Sequence, residues 1–299
     1  MITVELFKMV RQARTWLSVA LICALPLLVA VFIAVTHLAP PSGQGSAFLS
    51  AVLDNGQLYP AAALALVLPV FLPVSVAVAG GDSIAGEASA GTLRYLLARP
   101  VSRTRLLVAK LISVTAFVLI AVVAVTVTSY ATGVLILGPS RASAVGTLPS
   151  GVAGSIAPGA GGSPTAGLQA GGAVTSLSGA PLTFIDLIER VLGAMAFITV
   201  SMLGVAAIAI FLSTIARSAL GAALGTLAAL VASEILVTLN AAAAIQPYLP
   251  TRYWLAWIDF FRQPVFWPDI QRGFAIQAVY VVVFLAAAWA NFTTRDITS

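Results

Sequence analysis

The sequence predicts an all-α polytopic membrane protein with six transmembrane helices, and three observations carry that reading. Hydrophobic residues fill 60% of the 299 positions and charged residues only 8%, with a mean hydropathy of +1.04. Soluble domains carry roughly 25% charged residues, so little surface is left for water. Apolar stretches of about 20 residues, the length that crosses a bilayer, recur along the chain. The charges gather in short segments between those stretches. No soluble domain of ordinary size fits beside them, and 1–299 reads as a single transmembrane domain.

Residues 1–16 come first. Val4, Leu6, Phe7 and Val10 interleave with Glu5, Lys8, Arg11 and Arg14, the pattern of a short amphipathic helix lying on the inner membrane surface. The first span, Leu17–His37, has 21 residues, longer than the roughly 7–15 of a secretory signal. It is expected to be a retained signal anchor with the N-terminus in the cytoplasm. Leu58–Gly80 contains Pro60, Pro69 and Pro73 and is predicted to kink, because each internal proline removes a helix hydrogen bond. The third span, Leu106–Gly138, has 33 residues. At 1.5 Å per residue it reaches about 50 Å, against about 30 Å of hydrocarbon, so one end projects into water. Ser102 is its candidate N-cap. Val191–Ile215, Ser218–Asn240 and Phe274–Phe292 complete the six.

Charge sets the orientation. With the N-terminus inside, segments 1–16, 81–105, the turn at 216–217, the tail and Lys110 hold ten basic and four acidic residues, a net of +6. The other side holds five arginines and six acids, a net of −1. This asymmetry follows the positive-inside rule and places both termini in the cytoplasm. It also explains the overall net charge of +5 without nucleic-acid binding.

The two long outer segments differ. Residues 139–182 are dominated by Gly, Ser, Ala and Pro, with Arg141 as their only charge. Such a composition buries too little apolar surface to offset ordering entropy, so a flexible extracytoplasmic loop is expected. Segment 241–273 is rich in aromatics, and Trp254, Trp257, Ile258 and Phe261 fall at helical spacing. That face suits an interfacial helix at the headgroup level; an outer gate is the alternative.

Several chemistries are excluded. Cys23 is the only cysteine, so no disulfide within the chain and no cysteine metal site is available. His37 is the only histidine and is expected at a span end; no metal set is present. Neither Lys8 nor Lys110, the only lysines, follows a glycine-rich loop, so the chain has no Walker A phosphate cradle. No catalytic residue and no bound cofactor are expected.

The one dense block of charge is 82–110, which carries five of the fifteen Lys and Arg residues. Gly91 followed by Thr92 reads as one helix's end and the next one's N-cap. Leu93, Leu96 and Leu97 form the apolar side of a short helix bearing Arg94 and Arg99, which Pro100 stops. Asp82 and Glu87 are expected to pair with Arg94, Arg99 or Arg103 and so hold an elbow.

The run from Asp82 through Gly86, Glu87, Gly91, Thr92, Leu93, Leu96, Leu97, Pro100, Val101, Ser102 and Arg103 to Lys110 resembles the cytoplasmic loop of ABC type-2 permeases. Those are the membrane subunits of ATP-binding-cassette exporters. Leu212–Ser218 is similar to that family's short inner turn, and Arg295-Asp296-Ile297 to its cytoplasmic tail. The glycine-rich outer loop is longer than that family's usual connection. The resemblance implies a cytoplasmic coupling helix between helices 2 and 3 that is gripped by a separate ATPase subunit. ATP and Mg would then sit on that partner. A second permease copy or paralogue, a cell-membrane location in a bacterium and export of a hydrophobic or amphipathic substrate are implied too. A secondary transporter, or a membrane assembly or anchor factor, is the alternative.

Two further features lie in the fifth span. Glu234 is an acid in its outer half, which by default marks a substrate or ion pathway; a carboxylate satisfied by Ser233, Thr238 or a neighbouring helix is the other reading. Gly221 and Gly225 make a small-xxx-small face for close packing, within the subunit or in a dimer.

Overall fold

The computed structural model describes residues 2–36, 58–89, 103–137, 174–175 and 181–294. Eight α-helices account for most of them: α1 (Ile2–Arg11), α2 (Ala13–Thr36), α3 (Tyr59–Val67), α4 (Phe71–Ser89), α5 (Arg103–Thr132), α6 (Phe184–Ile215), α7 (Ala219–Thr238) and α8 (Trp267–Thr294). Two-residue strands, β1 (Val174–Thr175) and β2 (Pro181–Leu182), pair antiparallel ahead of α6. Among the described residues five helices are long and apolar enough to cross a membrane, or six spans if the bent pair α3 and α4 is counted as one. The chain is a multi-pass membrane protein.

The predicted kink is present, and it is a break. α3 and α4 meet at 54° across Leu68–Val70, where Pro69 and Pro73 withdraw two backbone donors from the ladder. α4 does not stop at Gly80 but runs to Ser89, so Asp82 and Glu87 are helical. α5 carries on through a π-helical turn, Gly133–Leu137. α6 starts at 184 rather than 191 because Thr183 and Asp186 form a capping box: Thr183 Oγ1 accepts from Asp186 N at 3.2 Å, and Asp186 Oδ2 accepts from Thr183 N at 3.0 Å. Ser218 caps α7 through the Gly221 N–H at 3.1 Å.

α6 is the axis of the bundle, packed by α4, α5, α7 and α8. About two-thirds of its apolar stretch (67%) is inside, against 22% for α2 and 17% for α8. The outer helices turn residues such as Leu17, Leu28, Val35 and Val282 outward, as lipid-facing surfaces require. α4 comes closest to its neighbours where Gly80 and Gly81 lie. A Cβ on Gly80 would fall 2.6 Å from Ala209 Cβ, and one on Gly81 would fall 2.9 Å from the Ala223 backbone nitrogen. The small residues that seat the helix pair are therefore these two. Gly225 only faces Leu212 of α6, and Gly221 is exposed on the outer side of α7.

The aromatic segment departs from expectation. Instead of an α-helix at the headgroup level, residues 239–266 form short 3₁₀ turns, Ala256–Phe261 the longest. Trp257 is fully buried and Phe261 nearly so, meeting edge to face at 6.1 Å. Three-residue turns point rings inward that a 3.6-residue repeat would have laid along one face. Hydrogen bonds stitch this cap to the spans: Ser233 to Thr251 at 2.8 Å, and Gln277 Nε2 to the Pro250 carbonyl at 2.6 Å. Asp259, whose carboxyl burial lifts above its ordinary value, pairs with Arg262 at 3.0 Å.

Candidate functional site

One end of the bundle gathers α1, the last turns of α4 and α6, the start of α5 and α7, and the end of α8. Trp289 Nε1 reaches Thr104 Oγ1 at 2.9 Å, and Asn291 Nδ2 reaches Thr214 Oγ1 at 2.8 Å. Here the charged residues separated in sequence converge. Lys110 Nζ lies 2.9 Å from Glu5 Oε2 and 2.5 Å from Glu87 Oε1; Lys8 Nζ reaches the same Glu87 oxygen at 2.5 Å. Arg14 Nη2 pairs with Asp82 Oδ2 at 3.0 Å. Four helices, α1, α2, α4 and α5, are thereby joined by side chains that apolar spans could not otherwise hold in register.

Burial decides which links matter. Lys110 is 4% exposed and Glu87 6%, whereas the Arg14 side chain is 68% exposed. Exposed pairs contribute roughly 0–1 kcal/mol. A buried charge that loses its partner costs several times more, so Lys110 is the pivot and Arg14–Asp82 a surface clasp. Burial alone would lower the Lys8 ammonium, but its hydrogen bond to Glu87 and the charges of Glu87, Glu5 and Asp82 outweigh this and hold it above 10.5. With those carboxylates ionised, its contribution is complete up to about pH 10.5 and is lost as pH rises through the folded value.

α1 is amphipathic as the sequence indicates, with its polar side turned toward the protein. Glu5 and Met9 are buried, while Val4, Phe7 and Val10 face outward. Behind that polar side opens a cavity of about 330 Å³ between α1, α2, α4 and α5.

A second device lies beside the cluster. The Ser213 hydroxyl at the end of α6 is lodged against one turn of α4, donating to the Gly81 carbonyl at 2.7 Å and accepting from the N–H groups of Ile84 and Ala85 at 3.1 and 2.8 Å. These three hydrogen bonds fasten the end of α6 to that turn of α4. Ser213→Ala is expected to destabilise the protein by about 1–3 kcal/mol, the cost of leaving buried groups unsatisfied. Thermal unfolding in detergent reads this out, and an unchanged midpoint would show that the ladder of α4 is self-sufficient.

Of the residues singled out in the sequence, Asp82, Gly86 and Glu87 take their places in this cluster; a Cβ at Gly86 would fall on the Asp82 carboxylate. In the structure the two acids pair with Lys8, Lys110 and Arg14; the side chains of the arginines expected to face them, Arg94, Arg99 and Arg103, lie outside the described residues. Gly91, Thr92, Leu93, Arg94, Leu96, Leu97, Arg99, Pro100 and the Ser102 cap lie outside the described residues, as do the Arg103 side chain, His37 and nearly all of 139–182. Glu234 stands apart, exposed on the outer side of α7. Its two proposed satisfiers are engaged elsewhere, Ser233 with Thr251 and Thr238 with the Ile235 carbonyl. Lys110 and Ser213 are what sequence reasoning missed as contacts. A lysine seven residues inside a 30-residue helix was the available signal, since such a charge needs a buried acid. Among the described residues no group of His, Cys, Asp or Glu could hold a metal ion.

Comparison with known proteins adds one finding. No curated protein matches the chain. A family described as "Protein of unknown function (DUF2705)" matches residues 25–298, from within α2 through all the remaining helices. The chain therefore belongs to the DUF2705 family.

Proposed function

We propose that the chain is the membrane-spanning permease subunit of an ATP-driven exporter, energised by a separately encoded ATPase and working with a second permease copy or paralogue. One observation carries the reading: Glu87, three residues before segment 90–102, is clasped by Lys110 on α5 and Lys8 on α1. A partner pushing on 90–102 would thus move three helices together, with the break at Leu68–Val70 as the yielding point. The charge asymmetry of the sequence supports a cytoplasmic position for this end, and the lack of a Walker A motif in the sequence fits a reading in which ATP is hydrolysed on another polypeptide.

Expression with its neighbouring genes and purification in detergent tests the reading. A Walker A protein is expected to co-purify at one ATPase per permease. Its ATP hydrolysis should respond to the membrane subunit, and Glu87→Gln should weaken that response while the pair stays assembled. A permease that purifies alone and transports without ATP would overturn it.

The secondary-transporter reading gains from the same cluster, because paired, buried charges beside a cavity are what ion coupling uses. Substrate flux in proteoliposomes driven by a proton or sodium gradient, with no ATPase present, would favour it.

A further inference from the structure

We infer that the cavity beside α1 is a binding site for a phospholipid whose headgroup carries both a phosphate and a primary ammonium. The argument begins with charge. Among the described residues its wall holds three cationic side chains, Lys8, Arg14 and Lys110, and three carboxylates, Glu5, Asp82 and Glu87, and these six balance. An anionic headgroup would draw Lys8 and Arg14 to itself and leave the site one charge negative. A cationic ligand would do the reverse. In a partly buried site either imbalance is costly. A zwitterion takes a cation from one pair and returns one to the carboxylate left behind.

The geometry offers the pair that can exchange. Arg14 and Asp82 reach toward each other from α2 and α4 at 3.0 Å, and at 68% and 28% they form the most exposed ion pair at the cavity among the described residues. Phosphate suits the planar fork of Arg14, and an ammonium N–H suits Asp82. Lys110, at 4% exposure, stays with its own carboxylates.

The remaining wall favours a lipid over a water-soluble zwitterion. Hydroxyls of Thr15, Ser18 and Ser113 give way to Val114 and Phe117, and Val78 is 47% exposed beside them, so the apolar side opens laterally. Val4, Phe7 and Val10 turn outward on α1, and Trp16 is exposed next to it. This combination sets a helix at the lipid–water boundary and puts the mouth at headgroup depth. A volume of about 330 Å³ falls within the roughly 300–1,000 Å³ of small-molecule sites.

The inference does not depend on the transport reading, since it concerns equilibrium binding with no partner present. The test uses the full chain, delipidated in detergent, with phosphatidylethanolamine, phosphatidylglycerol and phosphatidylcholine of identical acyl chains, read by native mass spectrometry. One phosphatidylethanolamine per chain is expected, bound about tenfold or more tightly than either competitor, in line with a charge-assisted hydrogen bond. Phosphatidylcholine fails because its ammonium has no N–H to donate. Arg14→Gln and Asp82→Asn should each bring the preference to within about twofold, while Glu234→Gln keeps it. Glycerophosphoethanolamine, the same headgroup without acyl chains, should not compete at equal concentration; if it does, the ligand is a soluble zwitterion and the lipid assignment fails. Equal binding of the three lipids by the unmodified protein would overturn the inference whatever the variants do, as would a preference that survives both substitutions.

Discussion

Replacing Lys110 with Met is expected to destabilise the protein by about 3–5 kcal/mol, the cost of removing one partner from a buried ionic group. Among the described residues Lys110 alone is ion-paired with both Glu5 and Glu87. Without it, Glu87 retains Lys8, but the negative charge of Glu5, 7% exposed, loses its ion-pair partner among the described residues and is opposed only by the more distant Lys8. Adding Glu5→Gln removes that charge and should recover half or more of the loss, leaving a balanced Lys8–Glu87 pair. Chemical unfolding in detergent micelles measures both variants. A single-variant loss below about 1 kcal/mol, the range of surface pairs, would mean that water reaches the cluster freely. Equal instability of single and double variants would mean that Lys110 acts by packing.

Gly81→Val should also have a large effect, about 3 kcal/mol, at the upper end of overpacking costs. The added Cβ would stand 2.9 Å from Ala223 N and 3.1 Å from the Ala219 carbonyl oxygen. Both are backbone atoms of α7, which no rotamer change can move aside. α4 must then part from α7, and the turn held by Ser213 shifts with it. Gly221→Ala is the matched control. Its methyl would meet the Ser218 hydroxyl at 3.1 Å and no neighbouring helix, so a change within about 0.5 kcal/mol is expected. Comparable losses for the two would put the close packing on the wrong glycine.

The spans were legible because lipid imposes one requirement on every residue that faces it, and a run of 20 apolar residues records that requirement locally. The break in the second span was legible for the same reason: Pro69 and Pro73 act on their own backbone. The cluster was not. Glu87 and Lys110 are 23 residues apart and Glu5 and Lys110 are 105 apart, and nothing in either neighbourhood names the other. The sequence offered only nearby partners, Arg94, Arg99 and Arg103, whose side chains lie outside the described residues. The aromatic cap was misread for a related reason. Spacings of three and four residues fit an α-helix and a chain of 3₁₀ turns almost equally, and burial of Trp257 against α6 and α8, a long-range matter, selected the turns. Gly80 and Gly81 drew no notice because two adjacent glycines do not match the four-residue repeat by which helix contacts are recognised.

The 105-residue separation of Glu5 and Lys110 also has a meaning in time. A ribosome adding about 5–20 residues per second needs about 5–20 s to travel from one to the other. Throughout that interval α1 exists without its carboxylate's partner, and the first span is already available for insertion. The outward row of Val4, Phe7 and Val10 gives the waiting helix a place to rest on the bilayer, and its charges remain hydrated there. Docking then belongs to a late stage of assembly, after α4 and α5 are both in place. A nascent chain halted before Lys110 should leave α1 open to protease and one halted well past it should not, so the cluster records the order in which this protein is completed.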